Sequence, residues 1–516
     1  MSVDTWDAIV VGSGIGGLAC AAALAKYKHR VLVLEQNQVA GGLTHTFSRR
    51  DWTWGVGVHY LGDLGQEDDD EGLLEWISGG AIRMASMGPV YDTIHFPGGF
   101  VTHFARPEEG LKRELKERFP GSSSIAQIDS WFDALHAGQS AGHAVFALRA
   151  MPEPIATFYR LWRGDTIDRW CRRTTREVLE ELVTDPRLRS VLAAQWGDYG
   201  SMPSRSCFGI HSVVVSNFFN GGYYPVGGAG VFAEKLTRVI EAVGGQVRVG
   251  TRVTGLLTDR GVVTGVETEA GETFHSERVV SDIGARNTVA KLLPPPMQDA
   301  PWVREILALS PTIAHVALYL GLEGDIGSMG ANASNHWFYE TWDLESVLWE
   351  DPVKVPKAPV LYVSFPSLKD PAHDPGPRKL HTVEAYAYTD WQVFARWQDT
   401  VPGQRPAAYR KLKAEIEKRL VAQFSGYFPA LAPLIRYSEV STPLSMAATT
   451  GAYEGAMYGL EPTPARFLCK WLHAKTPVSG LYLAGQDVGT PGVQGAMMGG
   501  ILAAAAIEPK LLSRLG

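Results

Sequence analysis

Apolar positions open this chain as a solid run. Ile9, Val10 and Val11 are consecutive β-branched residues, and Val31–Leu34 repeats the pattern. Such runs predict strands buried on both faces, as in a parallel sheet. The small residues of 16–27 between them predict a helix. Farther on, 231–243 has helical apolar spacing and ends at Gly244-Gly245. Alternation and β-branching then predict strands over 246–249, 251–258, 262–268 and 273–280. Leu481, Tyr482 and Leu483 read as a further strand, followed by a small-residue helix opening near Gly492. Between these segments, 66–215 reads mostly helical, broken at Pro152 and Pro154. The stretch 290–445 mixes strands ("IAHVALYLGL", "PVLYVSF", "HTVEAYAY") with a helix over 407–424.

A chain of 516 residues predicts two or three domains and a large core. The net charge of −7, without basic blocks, excludes a nucleic-acid partner. No secretory leader precedes the first strand, and no apolar stretch is long enough to span a membrane. Cys20, Cys171, Cys207 and Cys469 are scattered, with no CxxC, and the histidines form no HExxH. No metal is expected, and the thiols suit a cytoplasmic protein. "QEDDDEG" over 66–72 lacks calcium-loop spacing and reads as a solvated loop.

Gly12, Gly14 and Gly17 form a GxGxxG between the first strand and its helix. The first glycine allows the tight turn, the second lets a pyrophosphate approach the backbone, and the third lets the helix close on the sheet. The helix amides then face the phosphates. Glu35, at the end of the second strand, has the spacing of an acid that accepts from a ribose diol. Together these predict dinucleotide binding. "VGGAG" at 226–230 also precedes a helix, but no acid follows it, so no separate nicotinamide domain is expected. Electrons would then pass to or from a diffusing partner of unknown identity, or the net reaction would be redox-neutral.

After Glu35 comes Gly41-Gly42-Leu43-Thr44, and near the far end "GLYLAGQDVGTPGVQGAMMGGILAAAA" spans 480–506. The pair resembles the FAD-binding two-dinucleotide-fold flavoproteins, the amine oxidase-type superfamily. "DWTWGVGVHYLGDL" (51–64), "GGYYPVGG" (221–228), "LYVSFPSLKDP" (361–371) and "YEGAMYG" (453–459) resemble one branch of it, the retinol saturase, carotenoid isomerase and phytoene desaturase-like oxidoreductases. The resemblance is weakest over 65–191. It departs at Gly55, where the branch usually has an acid, and at Leu43, where a basic residue is common.

The resemblance implies an α/β fold: a Rossmann-like FAD domain from 1–65, 223–289 and 478–516, with an inserted α+β cap from 66–222 and 290–477. It implies FAD as cofactor, with Gly12, Ser13, Gly14, Gly16, Gly17, Glu35, Gln36, Gly41, Gly42, Leu43, Thr44, Val58, His59, Val253, Asp282, Gly485, Asp487, Gly492, Val493, Gln494, Gly495 and Ala496 about it. Val253 would meet the adenine through its backbone. Amides near Val493 to Gly495 would favour negative charge on the flavin ring. The implied substrate is an apolar isoprenoid or fatty-acyl chain whose C=C or C–C bonds are saturated, desaturated or isomerised. His59 and Tyr60 are acid/base candidates, with His59 equally able to hydrogen-bond the flavin or the backbone. Tyr199 and His211 are candidates too, and with Asp198 could orient a head group. The apolar, arginine-dotted stretch 143–164 reads either as a buried helix or as a peripheral membrane contact. Two other readings remain: an amine oxidase-like enzyme with a lysine near the flavin, and a prenyl carrier of the GDP-dissociation-inhibitor type. The intact glycine elements argue against the carrier.

Overall fold

The computed structural model describes residues 5–62, 72–150 and 153–514. The acidic run, Gly72 apart, and Pro152 lie outside them.

β1 (Ala8–Val11), β2 (Val31–Leu34), β3 (Gln246–Arg248), β4 (Val279–Ser281) and β5 (Leu481–Leu483) form one parallel sheet in the order β5-β4-β1-β2-β3. Three distant stretches of chain thus share one sheet. Every residue of β1 and β2 is buried, which is why both read as unbroken apolar runs. α1 (Ile15–Lys26), α2 (Val231–Glu241) and α3 (Val493–Ile507) pack around it, α1 against both of the others. Ile15 to Ala25 are buried on all sides of α1, so it needs small residues all round and carries no polar face.

An antiparallel ribbon of three strands lies beside this sheet: Val253–Asp259, Val262–Thr268 and Thr273–His275. The single strand expected over 273–280 is two strands in different sheets. Thr273–His275 pairs with the ribbon and Val279–Ser281 with β1, because Ser276 turns the chain through bonds to its neighbours.

The rest is built on a mixed sheet of seven strands. In order they are Ile435–Ser441, Ala314–Glu323, Leu380–Thr389, Val360–Ser364, Asn335–Tyr339, Val90–Phe96 and Phe100–Ala105. The mostly helical reading of 66–215 missed Met84–Ser86, Val90–Phe96 and Phe100–Ala105. The latter two form an edge hairpin whose polar residues (Asp92, Thr93, Thr102) are buried, so hydropathy concealed it. Period-two alternation gives this sheet two unlike faces. Val316, Leu318, Leu361, Val363, Val383 and Ala385 pack toward the helix Ala407–Tyr427. Tyr319, Trp337, Tyr339, Tyr362, Tyr386 and Tyr388 face the other way, among the helical segments. Glu384 shares that aromatic face by register and is wholly buried.

Candidate active site

β1 ends at Gly12, whose φ of +100° only glycine adopts without strain. A Cβ on Gly17 would stand 2.2 Å from the Gly12 carbonyl, and one on Gly16 would stand 2.6 Å from the Gly485 Cα. The turn and the opening of α1 therefore fit only without side chains. A Cβ on Gly500 would stand 2.0 Å from the Gly16 carbonyl, so α3 and α1 touch backbone to backbone.

Between these elements runs a cavity of about 410 Å³. Of the expected cofactor residues, Gly12, Gly14, Gly16, Glu35, Gln36, Gly42, Leu43, Thr44, Val253, Asp282, Gly485, Asp487, Gly492, Val493 and Ala496 lie in its wall. The others sit behind it. Ser13 Oγ donates to Glu35 Oε2 at 2.6 Å and accepts from the Gly41 amide at 3.1 Å. Gly17 abuts Gly12, and Val58 is buried. Gln494 Oε1 accepts from the Gly62 amide at 3.2 Å, and a Cβ on Gly495 would collide with Thr490. Sequence reasoning missed Arg252, Arg286 and Lys291, three cationic residues of the wall.

Glu35 is buried and accepts four donors: Ser13 N at 3.0 Å and Ser13 Oγ on one oxygen, Asn37 N at 2.8 Å and Asn37 Nδ2 at 2.9 Å on the other. Its lone pairs are filled. Two of the four donors, Ser13 Oγ and Asn37 Nδ2, are on rotatable side chains and can give way to another donor. Asp487 bridges two segments, taking the Ala285 amide at 2.8 Å and the Leu460 amide at 3.1 Å. The Asp282 carboxyl stands over the start of α1 and accepts from the Gly17 amide; Cβ atoms on Gly14 and Gly16 would meet its oxygens at 2.6 and 2.5 Å. Burial, with the charges of Glu35 and Asp487, pushes Asp282 up to about 8. At neutral pH it is mainly a neutral acid, which can donate to an anion.

Two buried arginines hold the loop before α3. Arg149 donates to the carbonyls of Val488 at 2.5 Å and Phe467 at 2.6 Å, and Arg466 donates to the Gln486 carbonyl.

From Gly57 in the wall the chain runs directly into His59 and Tyr60. His59 Nδ1 lies 2.9 Å from Glu384 Oε2, and the imidazole packs between the rings of Tyr386 (4.6 Å) and Tyr362 (5.3 Å). The two groups meet as an ion-pair contact when the imidazole is protonated, without hydrogen-bond alignment, so both ring nitrogens remain available. A Cβ on Gly55 would stand 3.5 Å from Glu384 Oε1. The acid missing at Gly55 thus has a carboxylate beside it from another strand. Lys369 Nζ donates to the His59 carbonyl at 2.8 Å, to Ser364 Oγ at 2.7 Å and to Asn335 Oδ1. Burial lowers Lys369 to about 7 against the opposing pull of Glu384 and Asp92. Tyr199 and His211 form a separate pair. Tyr199 Oη and His211 Nδ1 pair at 2.9 Å inside the helical layer, neither lies in the cavity wall, and burial lowers His211 to about 3. Among the described residues there is no metal-binding cluster.

The model of the flavin-containing amine oxidoreductases matches residues 15–508. The chain belongs to this family. It is an FAD oxidoreductase, as the glycine motifs indicated, of the branch that the GVGVHY, GGYYPVGG and YEGAMYG elements resemble. It is 32% identical to the all-trans-retinol 13,14-reductase of Danio rerio, over 96% of this chain and 84% of that one. It is 25% identical to the chloroplastic prolycopene isomerase of Arabidopsis thaliana, over 93% and 79% respectively. Among solved structures, a putrescine oxidase aligns with a TM-score of 0.64 at 14% identity, over 98% of this chain and all of that one. That likeness carries the family's fold. The cavity fits FAD on its own terms, since Gly12, Gly14, Gly16, Gly42, Gly485 and Gly492 put bare backbone in its wall and its volume lies in the range of cofactor sites.

Proposed function

We propose that this flavoprotein acts on carbon–carbon double bonds of an apolar isoprenoid, a carotenoid- or retinoid-like chain, by saturation, desaturation or isomerisation. The observation that carries the reading is the aromatic cluster that follows Gly57 of the cavity wall. It sets tyrosine rings beside the His59–Glu384 contact, which suits a largely hydrocarbon substrate that needs a proton managed. The similarity to a retinol reductase and a prolycopene isomerase supports the same class. The amine oxidase reading would need a lysine with a donor to spare, whereas the Lys369 ammonium spends three on protein oxygens.

FAD supplies hydride exchange at N5 when bound. In our assignment Glu35 takes the ribose, Asp282 and the α1 amides meet the diphosphate, and the opening of α3 faces the ring. Residues 1–65, 223–289 and 478–516 make up the FAD domain, and the remainder is the cap.

We assign delivery of the substrate to a membrane surface, with the enzyme docked from the cytoplasm. No helix among the described residues is long and apolar enough to cross a bilayer. On the helix Glu153–Cys171, however, Phe158, Leu161 and Trp162 are 74, 83 and 70% exposed, one face at helical spacing with Arg160 and Arg163 beside it. Apolar anchors with flanking arginines match an anionic bilayer.

Anaerobic mixing of the purified holoprotein, oxidised and reduced, with retinoids and carotenoids tests the activity. Flavin bleaching or recovery, or a new geometric isomer of the polyene, is expected; none of these with any polyene overturns the reading. Flotation with anionic vesicles, retained by wild type and lost in a Phe158→Ser/Leu161→Ser/Trp162→Ser variant, tests the docking.

A further inference from the structure

Tyr60 carries one phenolic proton, yet its oxygen lies 2.9 Å from Asp92 Oδ2 and 2.8 Å from Asp198 Oδ2. With both carboxylates ionised, one of these contacts would set lone pair against lone pair. A single additional proton removes the conflict: one carboxyl donates to the phenol oxygen while the phenol donates to the other.

The surroundings decide which carboxyl holds it. Asp92 also accepts from Gln195 Nε2 at 2.9 Å and from Asn335 Nδ2 at 3.1 Å, so its anion is solvated by amides. Asp198 has Tyr60 as its one side-chain hydrogen-bond partner among the described residues. Its field reaches the phenols of Tyr91, Tyr339, Tyr362, Tyr388 and Tyr458, and no cation among the described residues acts on it. Lys369 lies on the Asp92 side. Burial pushes Asp198 well above the carboxylate range, and the Asp92 charge adds to this.

Gln195 Oε1 and the Tyr91 hydroxyl are both buried and unpartnered in this cluster. The place is also suitable. Tyr60 and Asp198 keep accessible surface although Trp196, Gly197, Tyr199 and Gly200 beside them are buried, and Tyr458, within the field of Asp198, lines the cavity.

We propose that Asp198 is a neutral carboxylic acid, sharing one proton with Asp92 through Tyr60, and that it is the proton donor and acceptor for the substrate carbon. On transfer the Asp198 O–H bond breaks and its electron pair stays on the carboxylate. The alkene π pair makes the new C–H bond. In an isomerisation the same oxygen takes the proton back after rotation; in a reduction the flavin's hydride balances the charge, and water later reprotonates the carboxyl. The proton site stands on geometry alone, and only the identity of its substrate rests on the proposed function.

Infrared difference spectra of purified holoprotein, wild type minus Asp198→Asn, test it without substrate. A carboxylic-acid C=O band, shifted in D2O and absent from the variant, is expected at neutral pH. Its absence overturns the proposal. Asp198→Asn mimics the neutral acid, so it should keep its flavin and its thermal midpoint, whereas Asp92→Asn should lower the midpoint by turning a donor toward Gln195 and Asn335. Equal losses in both variants, or a loss confined to Asp198→Asn, also overturn it. With a polyene substrate, Asp198→Asn should lower kcat at least a hundredfold with KM little changed, and Tyr60→Phe should shift the alkaline limb of the pH profile. A band present without turnover of any polyene leaves the proton site standing and removes the isoprenoid reading; turnover without the band does the reverse.

Discussion

Replacing Gly500 by alanine places a methyl group between the first and last helices of the FAD domain. The new Cβ would lie 2.0 Å from the Gly16 carbonyl oxygen and 2.8 Å from its carbon. Both are backbone atoms, so no side chain can swing aside. To reach ordinary contact at 3.4 Å, α3 must move away from α1 by about 1.4 Å. Overpacking of this kind costs about 1–3 kcal/mol, and here the displacement opens a wall of the cofactor cavity. Since about 1.4 kcal/mol is a factor of ten in affinity, FAD should bind roughly ten- to a hundredfold more weakly. The assay is the flavin-to-protein ratio after gel filtration, together with Tm with and without added FAD. Gly164→Ala is the control. Gly164 lies in the helix Glu153–Cys171, and a Cβ there meets nothing within 4 Å. That change should leave flavin content intact and be neutral or stabilising by about 0.5–1 kcal/mol. Wild-type flavin content and Tm in Gly500→Ala would refute the claim that the two helices meet backbone to backbone at the site.

Asp282, raised from 3.8 to about 8, holds a proton in the folded state that the unfolded chain has released. Stability should therefore fall as pH rises between those values, by up to about 1.4 kcal/mol per unit, and urea titrations of Asp282→Asn should lack that slope. Lys369 has the opposite sign. Its folded value is about 7 against 10.5 ordinarily, so the unfolded chain binds the extra proton and stability should rise from pH 7 toward 10.5. Lys369→Met should lose that rise in the same titrations. Arg149→Met should strip two carbonyls of their donor, costing about 1–3 kcal/mol each, and should release flavin on mild heating, followed by flavin fluorescence.

The cofactor-binding frame was legible because its constraints are local. A strand, three glycines, a helix and an acid lie within one short stretch, and the prediction placed Val31–Leu34 and Leu481–Leu483 at their observed bounds. The cluster about His59 and Tyr60 was less legible because its groups are gathered by a sheet. Glu384 sits in "HTVEAYAY" and Asp92 in "VYDTIHF", each an ionisable residue inside a strand that is otherwise largely apolar or aromatic. A charge in such a run signals a functional or paired group, but its partner cannot be read from the run. His59, picked out from its motif, gains meaning only beside Glu384, which lies 325 positions further along in the sequence. Tyr199 and His211 show the converse. Tyr199 lies in the conspicuous WGDYG stretch and His211 beyond it, yet they pair with each other in the interior while their neighbour Asp198 meets Tyr60.

Because β5 is the outer neighbour of β4, and α3 closes on the Gly16 backbone, the cofactor's binding surface is assembled from the earliest and the latest synthesised parts of this sequence. A ribosome must pass α3 before the groove exists, and until β5 emerges β4 waits with an unpaired edge. Flavin loading follows the synthesis of both.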